Sequence, residues 1–303
     1  MPRSAFRHVL CPIDFSEYSR TALRYAFTLV RRNNGRLTVL FVNDPLLGTA
    51  AAAAGYDVSA LTAKTGAELR RFAAGAIGEG AAGAGIVTAF GHAAPQIQKA
   101  VERLAADVVV LGSRGLTGPG KWFFGSTTER VLRTARVPVL VVPKSRHRPS
   151  AGWAKALLSW PGKTILVPVD LRDYAVADVR AALRVARGFG AKALLVYVLP
   201  PVQFPPWLRL DRRAHDRDRL AHSKTELETL ARLVAGGAEC RVVIGDPVDQ
   251  ISACATDAGA GLIILTLKRA SAPFGPRQGA ISYRLLSTAV APILAVPETR
   301  RQS

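Results

Sequence analysis

Residues His8–Ser16 read HVLCPIDFS, and a similar stretch, TILVPVDLR, occupies Thr164–Arg172, 156 residues further along the chain. In both stretches an apolar run that contains a proline ends at an aspartate, Asp14 in the first and Asp170 in the second. A short apolar run without polar alternation predicts a strand that is buried on both faces, as in parallel sheets covered by helices. The two stretches therefore predict the first strand of an α/β fold, present twice.

The repetition continues through the rest of the chain. At a shift of 154, ADVVVLG at Ala106–Gly112 matches AGLIILT at Ala260–Thr266, and VPVLVVP at Val137–Pro143 matches APILAVP at Ala291–Pro297. This period is the size of a whole domain and far above the roughly 20–50 residues of solenoid repeats. The sequence therefore predicts a duplicated domain, with copies at residues 1–145 and 163–298, a linker at 146–162 and a tail at 299–303.

Within each copy, short apolar runs alternate with segments of helical periodicity. This order predicts two tandem, doubly wound, open parallel sheets of five strands, each with helices on both faces, which is a Rossmann-like α/β arrangement. Ser16 stands at an N-cap position, and Asn34 with Gly35 ends the helix that follows it. Ligands of such sheets bind beyond the carboxyl ends of the strands, where the winding reverses. The first five strands are predicted at Val9–Ile13, Leu37–Val42, Ile86–Phe90, Asp107–Leu111 and Val137–Val142.

Composition and charge limit the function classes. Of 303 residues, 49% are apolar and 21% charged, which is typical of a globular protein with a sizeable core. Three widely spaced cysteines without a Cys-x-x-Cys pair argue against a disulfide framework or a zinc site and favour a reducing, cytoplasmic location. No apolar run is long enough to cross a membrane, so no membrane partner is expected. The net charge of +19 favours anionic partners, but without a recognition-helix pattern no sequence-specific nucleic-acid binding is expected.

The densest group of glycines follows the predicted fourth strand, in GSRGLTGPGKWFFGSTTERVL at Gly112–Leu132. Gly112 and Gly115 would let the backbone turn sharply and approach a ligand. Gly125 and Ser126 would open a helix whose first amides and positive dipole end suit a phosphate group. The segment therefore predicts a phosphate cradle. The hydroxyls expected to add donors are those of Ser126 and Thr128.

This glycine spacing resembles that of the universal stress protein family. Its nucleotide-binding members have Gly, two residues, Gly, nine residues, then Gly followed by Ser or Thr, as this chain does. The first strand ending in PID, the fifth strand VPVLVVP and, more weakly, the whole second copy extend the resemblance. It implies an adenine nucleotide α-hydrolase-like fold that binds ATP in the first copy. A Mg²⁺ ion accompanying the phosphates would find only Ser126, Thr128 and Asp14 as oxygen ligands, which is a thin set. The resemblance places Asp14, Pro12 and Ile13 near the adenosine, Phe41 and Val42 beside the adenine, and Gly112, Arg114, Gly115, Gly125, Ser126, Thr127 and Thr128 along the ribose and phosphates.

The second copy departs from this pattern. At the shift of 154, Gly112 becomes Thr266 and Gly115 becomes Arg269. Side chains there would fill space that the phosphates need, so the second site is expected to be empty or weaker. Members of the family usually pair through their last strands, which implies that the two copies pair within one chain and that the second serves mainly as a built-in partner. The strands concerned are Val137–Val142 and Ile293–Val296.

Two other glycine motifs are weaker signals. G-x-x-x-x-G-K at Gly115–Lys121 is followed by Trp122 where a P-loop needs Ser or Thr. G-x-G-x-x-G at Gly78–Gly83 precedes a strand instead of following one, which predicts a flexible loop.

No paired carboxylates, nucleophile and base, or metal cluster accompany the glycine loop, so no catalytic residue and no metal ligand is predicted. The pattern favours a regulatory nucleotide-binding module. One alternative is a slow ATP hydrolase. The other is an interaction protein that binds no nucleotide and docks an anionic partner.

Overall fold

The computed structural model describes residues 6–46, 49, 53–55, 57–114, 125–143, 153–172, 176–202, 207, 211–235, 238–267, 281–289 and 291–297. The strands in these residues are β1 (His8–Ile13), β2 (Arg36–Asn43), β3 (Gly85–Phe90), β4 (Val108–Gly112), β5 (Val139–Val142), β6 (Thr164–Pro168), β7 (Lys192–Leu199), β8 (Glu239–Ile244), β9 (Ile263–Leu267) and β10 (Ile293–Pro297). The helices are α1 (Glu17–Asn33), α2 (Val58–Ile77), α3 (Ala93–Leu104), α4 (Ser126–Thr134), α5 (Trp153–Leu158), α6 (Val176–Gly188), α7 (Arg212–Ala235), α8 (Pro247–Asp257) and α9 (Ile281–Thr288).

All of these strands lie in one sheet, in the order β3-β2-β1-β4-β5-β10-β9-β6-β7-β8. Neighbours within each half are parallel. At the centre β5 and β10 run antiparallel, with Leu140 opposite Leu294. The predicted doubly wound α/β fold is confirmed, and its two sets of five strands join edge to edge.

Helices cover both faces of this sheet. The apolar sides of α1, α2, α6 and α7 pack on one face, and those of α3, α4, α8 and α9 pack on the other. Central strands are buried throughout: β1, β4 and β5 have no exposed residue. This double covering explains why their sequences are uniformly apolar.

The first helix forms where its capping residues predict. Ser16 is the N-cap and its hydroxyl oxygen accepts a hydrogen bond from the Ser19 N–H at 3.1 Å. At the other end Asn34 takes a left-handed conformation, with φ 47°, and its N–H donates to the Val30 carbonyl. Asparagine tolerates this conformation better than most residues, so the helix ends there.

The glycine segment Gly78–Gly83 forms a 3₁₀ helix, so the expectation of a flexible loop was wrong. A Cβ on Gly80 would lie 2.1 Å from Cζ of Phe27, which is closer than any real contact. This glycine therefore lets α1 pack closely against the segment that precedes β3.

Contacts between the two halves also form away from the sheet. The guanidinium of Arg32, at the end of α1, donates to the Trp160 carbonyl at 2.8 Å and to the Phe189 carbonyl. The Trp160 ring packs edge-on against Tyr25 at 5.1 Å and against Phe189 at 5.6 Å between ring centroids. Burial raises the pKa of Tyr25 to about 12. The residues after α5 thus connect α1 to the second half.

Candidate functional site

The winding of the first half reverses between β1 and β4, which are neighbours in the sheet. The helix after β1 packs on one face and the helix that follows β4 packs on the other. A crevice between the two connections is expected at this point, just beyond the carboxyl ends of the two strands. Asp14 follows β1 there, and Ser113 and Arg114 follow β4.

A hydrogen-bonded turn holds Asp14 at this edge. Its Oδ1 accepts a hydrogen bond from the Ser16 N–H at 3.1 Å, and the Asp14 N–H lies 3.4 Å from the Ser19 hydroxyl oxygen. Phe15, between them, has φ 63°, in the left-handed region that few side chains favour. The half-buried Asp14 carboxylate is therefore fixed by the same turn that caps α1.

The connection from β4 to α4 leaves and returns at one place. The Gly125 N–H donates to the Ser113 carbonyl at 3.0 Å, and the Ser113 N–H donates to the Val142 carbonyl at 2.8 Å. Below this closure the buried Thr128 hydroxyl donates to the Gly112 carbonyl at 2.9 Å. The Thr128 proton is thus used within the protein. Gly115, with residues 116–124, lies outside the described residues.

The two described glycines of the motif have different packing roles. An added Cβ on Gly112 would lie 2.8 Å from Cβ and 3.0 Å from the carbonyl carbon of Tyr18, on α1. On Gly125 it would lie 3.3 Å from Cα of Arg114. Gly112 therefore allows the close packing of β4 against α1, and Gly125 allows the two ends of the loop to meet.

The first turn of α4 offers backbone donors without a side-chain cap. Gly125 is the N-cap and has no side chain to accept the first amides, and the first intrahelical bond runs from the Glu129 N–H to the Gly125 carbonyl at 2.9 Å. Ser126 is exposed and Thr127 is half-buried. Free amides at the positive end of a helix dipole favour an anion. Phosphate is the typical ligand of this arrangement.

The residues predicted to lie beside the adenine separate on the two faces of the sheet. Phe41 packs with the face that carries α1 and α2, whereas Val42 packs with the opposite face. The Phe41 ring lies 4.8 Å from Phe15, and Phe15 lies edge-on to Phe72 at 5.3 Å. Pro12 and Ile13 are buried within β1.

Three residues of this edge were not found from the sequence: Phe15, Phe72 and Arg20. The Arg20 guanidinium lies 4.4 Å from the centre of the Phe72 ring, which adds a cation to the aromatic group. Phe15 follows Asp14 directly and could have been found from its place at the end of β1. Nothing in the local sequence connects Phe72, on α2, to this edge.

The second half keeps the turn at Asp170 and changes its surroundings. Asp170 Oδ1 accepts a hydrogen bond from the Arg172 N–H at 3.1 Å, but an arginine replaces the capping serine.

Asp246 caps α8 and binds both terminal nitrogens of Arg284 from α9, at 2.9 and 3.1 Å. Hydrogen bonding to Arg284 lowers the pKa of Asp246 below its usual range. The first half has His92 and Arg130 at these positions, so this ion pair is specific to the second. The positions equivalent to Gly115, Gly125 and Ser126 lie outside the described residues.

The described parts of the chain contain neither a cluster of metal-binding side chains nor a helix that could span a membrane. There, no three His, Cys, Asp or Glu residues are grouped to hold a metal ion. None of the helices described is long and apolar enough to span a membrane.

Fold and site together define a duplicated, doubly wound α/β protein with a candidate anion site at the switch point of its first half. The chain belongs to the universal stress protein family, whose model matches residues 5–143 and 162–297. It is 27% identical over 143 residues to Universal stress protein MJ0531 of Methanocaldococcus jannaschii, which covers 46% of this chain and 84% of that protein. It is 25% identical over 146 residues to Universal stress protein YxiE of Bacillus subtilis, covering 45% of this chain and 99% of that protein.

A solved structure has the same arrangement over nearly the whole chain. The crystal structure of a universal stress protein from Archaeoglobus fulgidus aligns with a TM-score of 0.64 at 20% identity, covering 96% of this chain and 98% of that one. At this identity the likeness concerns the fold. The expectation that the chain is a tandem member of the family is confirmed by the family match in two segments.

Proposed function

We propose that the first domain binds ATP at the β1–β4 switch point and that the chain acts as a cytoplasmic, regulatory nucleotide-binding protein of the stress response. The observation that carries the proposal is the first turn of α4, where the N-cap is a glycine and no side chain of the cap accepts the amides. It lies at the same switch point as the Asp14 turn. Membership of the universal stress protein family supports the same reading.

The phosphates would lie against the start of α4. The amides of Ser126 and Thr127, the Ser126 hydroxyl and the positive helix end would stabilise their charge. Thr128 would act indirectly, since its hydroxyl holds the Gly112 carbonyl and so fixes the start of the loop. Arg114 and Gly115 would complete the phosphate and ribose side.

The adenosine would lie toward the Asp14 turn and the ends of β1 and β2. Asp14 suits a ribose hydroxyl, because a carboxylate accepts hydrogen bonds from such donors. Phe41 and Val42, near the end of β2, point to opposite faces of the sheet. Each would therefore contact the base from its own face. Pro12 and Ile13 would support this wall from within β1.

Mg²⁺ would accompany the triphosphate and be held mainly by its oxygens and by water. The carboxylate at this edge, Asp14, already accepts the Ser16 N–H. Hydroxyls and one carboxylate are a thin ligand set for a magnesium ion, which prefers several oxygens. The ion would therefore depend on the nucleotide for binding.

The second domain would serve as a partner for the first. Its last strand, β10, pairs with β5, and this hides two apolar edges that would otherwise be open to other chains. Arg269 stands where the first domain has Gly115, and a side chain at this position of the loop disfavours a second ligand of the same kind.

Titration calorimetry with ATP, with and without Mg²⁺, tests the proposal on the full chain. The expected result is one site per chain. Ser126→Asp should weaken ATP binding strongly, because it puts a negative charge at the helix end where the phosphates would lie. The fold should persist, since acidic residues in the first turn stabilise a helix. The matched control is Ser282→Asp in the first turn of α9, which adds the same charge to the second domain and should leave binding unchanged.

Three results would contradict the proposal. Absence of ATP binding to the wild type would refute nucleotide binding altogether. Loss of binding in Ser282→Asp but not in Ser126→Asp would place the site in the second domain. Release of phosphate from ATP above background, abolished in Ser126→Asp, would show that the protein is a slow ATP hydrolase and not a regulatory binding protein.

A further inference from the structure

A surface unrelated to the candidate site lies where the two halves meet. Its centre is Arg32, bonded to the carbonyls of Trp160 and Phe189, with the Phe6 ring 6.2 Å from the Phe189 ring. Exposed cations surround this centre, three from each domain. We call this set the basic seam: Arg7, Arg31 and Arg36 from the first domain, and Lys163, Arg187 and Lys192 from the second.

Chain connectivity keeps these cations close to one another. Lys163 is three residues from Trp160 and Lys192 is three residues from Phe189. Three residues span at most about 11 Å even when fully extended. Arg31 adjoins Arg32 and Arg187 lies two residues before Phe189. The seam is thus one patch that includes both domains.

The seam repeats with the domain. At the shift of 156 that aligns Asp14 with Asp170, Arg7 aligns with Lys163, Arg31 with Arg187 and Arg36 with Lys192. Because β5 and β10 pair antiparallel, the two halves are related by an approximate two-fold axis through the sheet. The six cations therefore form two equivalent groups of three about that axis.

Acidic residues are scarce in the segments that form this patch. The four segments that meet there, residues 6–8, 28–36, 153–165 and 184–193, contain no Asp or Glu. At its border the Asp107 carboxylate accepts the backbone N–H groups of Arg7 and His8, so it is held against the backbone of β1. Among the described residues, the side chains of Arg7, Arg31, Arg36, Lys163 and Lys192 have no carboxylate within 4.0 Å.

Helix dipoles explain only part of this charge. Arg31 and Arg187 lie in the last turns of α1 and α6, where a cation stabilises the helix. Lys163 and Lys192 instead adjoin each other at the start of two strands, with the Lys192 N–H donating to the Lys163 carbonyl at 2.8 Å. The register partner of Lys192 is Thr164, so these two lysine charges lie at the starts of strands and not at the end of a helix.

We propose that the basic seam binds the phosphate backbone of duplex nucleic acid without reading its sequence. A duplex has two-fold axes of its own, so two symmetric groups of cations can meet both strands in equivalent ways. A membrane surface fits less well, because firm membrane binding usually adds an inserted apolar face to the attraction between charges. In the described parts of the four segments, Leu158 is the large apolar side chain that is exposed, at 65%.

The test measures binding of two unrelated 20-base-pair DNA duplexes to the full chain by fluorescence anisotropy at several salt concentrations. Both duplexes should bind equally. The slope of log K against log salt should be about −5 if six phosphates are contacted at about −0.9 each. The double variant Lys163→Gln/Lys192→Gln should reduce the magnitude of the slope by about 1.8. It should raise Kd at 0.1 M salt by about 60-fold, since each phosphate contact strengthens binding by about 8-fold at 0.1 M relative to 1 M salt.

The control variant is Lys64→Gln/Lys224→Gln, which removes the same charge from exposed positions on the outer helices α2 and α7. It should keep a Kd close to that of the wild type, and circular dichroism should show both variants folded. Equal weakening by the two double variants would assign binding to net charge and overturn the seam. No duplex binding at 50 mM salt, a tenfold difference between the duplexes, or binding only to phosphatidylserine vesicles would also overturn it.

Discussion

Replacing Gly112 with alanine tests how closely α1 lies against β4. The new Cβ would stand 2.8 Å from the Tyr18 Cβ, 3.0 Å from its carbonyl carbon and 3.1 Å from its carbonyl oxygen. Carbon atoms in contact prefer about 3.5–4.0 Å, so α1 must move by roughly 0.5 Å or more. Backbone atoms form part of the obstacle, so a change of side-chain rotamer cannot remove it.

The expected cost follows from two opposing effects. Overpacking of this kind typically costs about 1–3 kcal/mol. Alanine in place of a strand glycine returns about 0.5–1 kcal/mol through the lower entropy of the unfolded chain. Gly112→Ala should therefore lower the free energy of unfolding by about 1–2 kcal/mol, measured in urea by far-UV circular dichroism.

Gly188→Ala is the matched control. This glycine ends α6, has nothing within 4 Å of an added Cβ, and should gain up to about 1 kcal/mol from helix propensity. If Gly112→Ala unfolds at the same urea concentration as the wild type or a higher one, the close packing described for β4 and α1 is wrong.

Two further predictions concern stability. The buried His8 donates from Nδ1 to the Leu104 carbonyl and accepts at Nε2 from the Thr38 hydroxyl, both at 2.8 Å, and burial lowers its pKa below 6.5. The contribution of the neutral His8 side chain to folding stability is therefore complete above pH 6.5. It is lost as the pH falls through the lower pKa of the folded state, because the unfolded state takes up the proton first. His8→Gln should flatten the fall in urea midpoint between pH 7 and 5, whereas His222→Gln, at an exposed site, should keep it; equal slopes for both would refute this role. Arg32→Met leaves the Trp160 and Phe189 carbonyls without their donor and should lower the free energy of unfolding by about 1–3 kcal/mol. Arg184→Met, at an exposed position of α6, should change it little. No loss in Arg32→Met would show that water replaces the guanidinium.

The sheet could be predicted from sequence because its central strands are buried on both faces. Uniform apolar runs such as VVVLG in β4 have few alternative interpretations, and Ser16 and Asn34 bound α1 by local hydrogen bonds. These features depend on residues close together in the chain. Strand ends were less accurate: β5 begins at Val139, two residues later than expected, and Pro138 before it donates no backbone hydrogen bond.

The spacing of leucines along a helix does not by itself show which of them are buried. On α7, Leu227, Leu230 and Leu233 recur at helical spacing, but Leu233 is 64% exposed, while Ala231 and Val234 are buried. Six residues turn a helix by about 600°, about 120° short of two turns, so Leu233 drifts away from Leu227. Seven residues almost close the second turn, which is why Val234 packs below it.

The candidate site was predictable in position but not in detail. The glycine spacing identifies the loop after β4, yet the neighbour that requires a glycine at position 112 is Tyr18, from a segment 94 residues earlier. The contacts among Phe15, Phe41 and Phe72 likewise join three separate segments. Such contacts are set by tertiary packing, which local patterns do not encode. The ligand assignments for Asp14, Ser126 and Thr127 stay predictions.

The antiparallel pairing of β5 with β10 has a consequence for how the protein behaves on dilution. Two separate chains joined by so short a pair of strands would come apart as their concentration fell. Here both strands belong to one chain, and the covalent connection between them keeps their effective concentration independent of how many molecules are present. The ten-stranded sheet can therefore persist at copy numbers too low to sustain a dimer of single-domain chains.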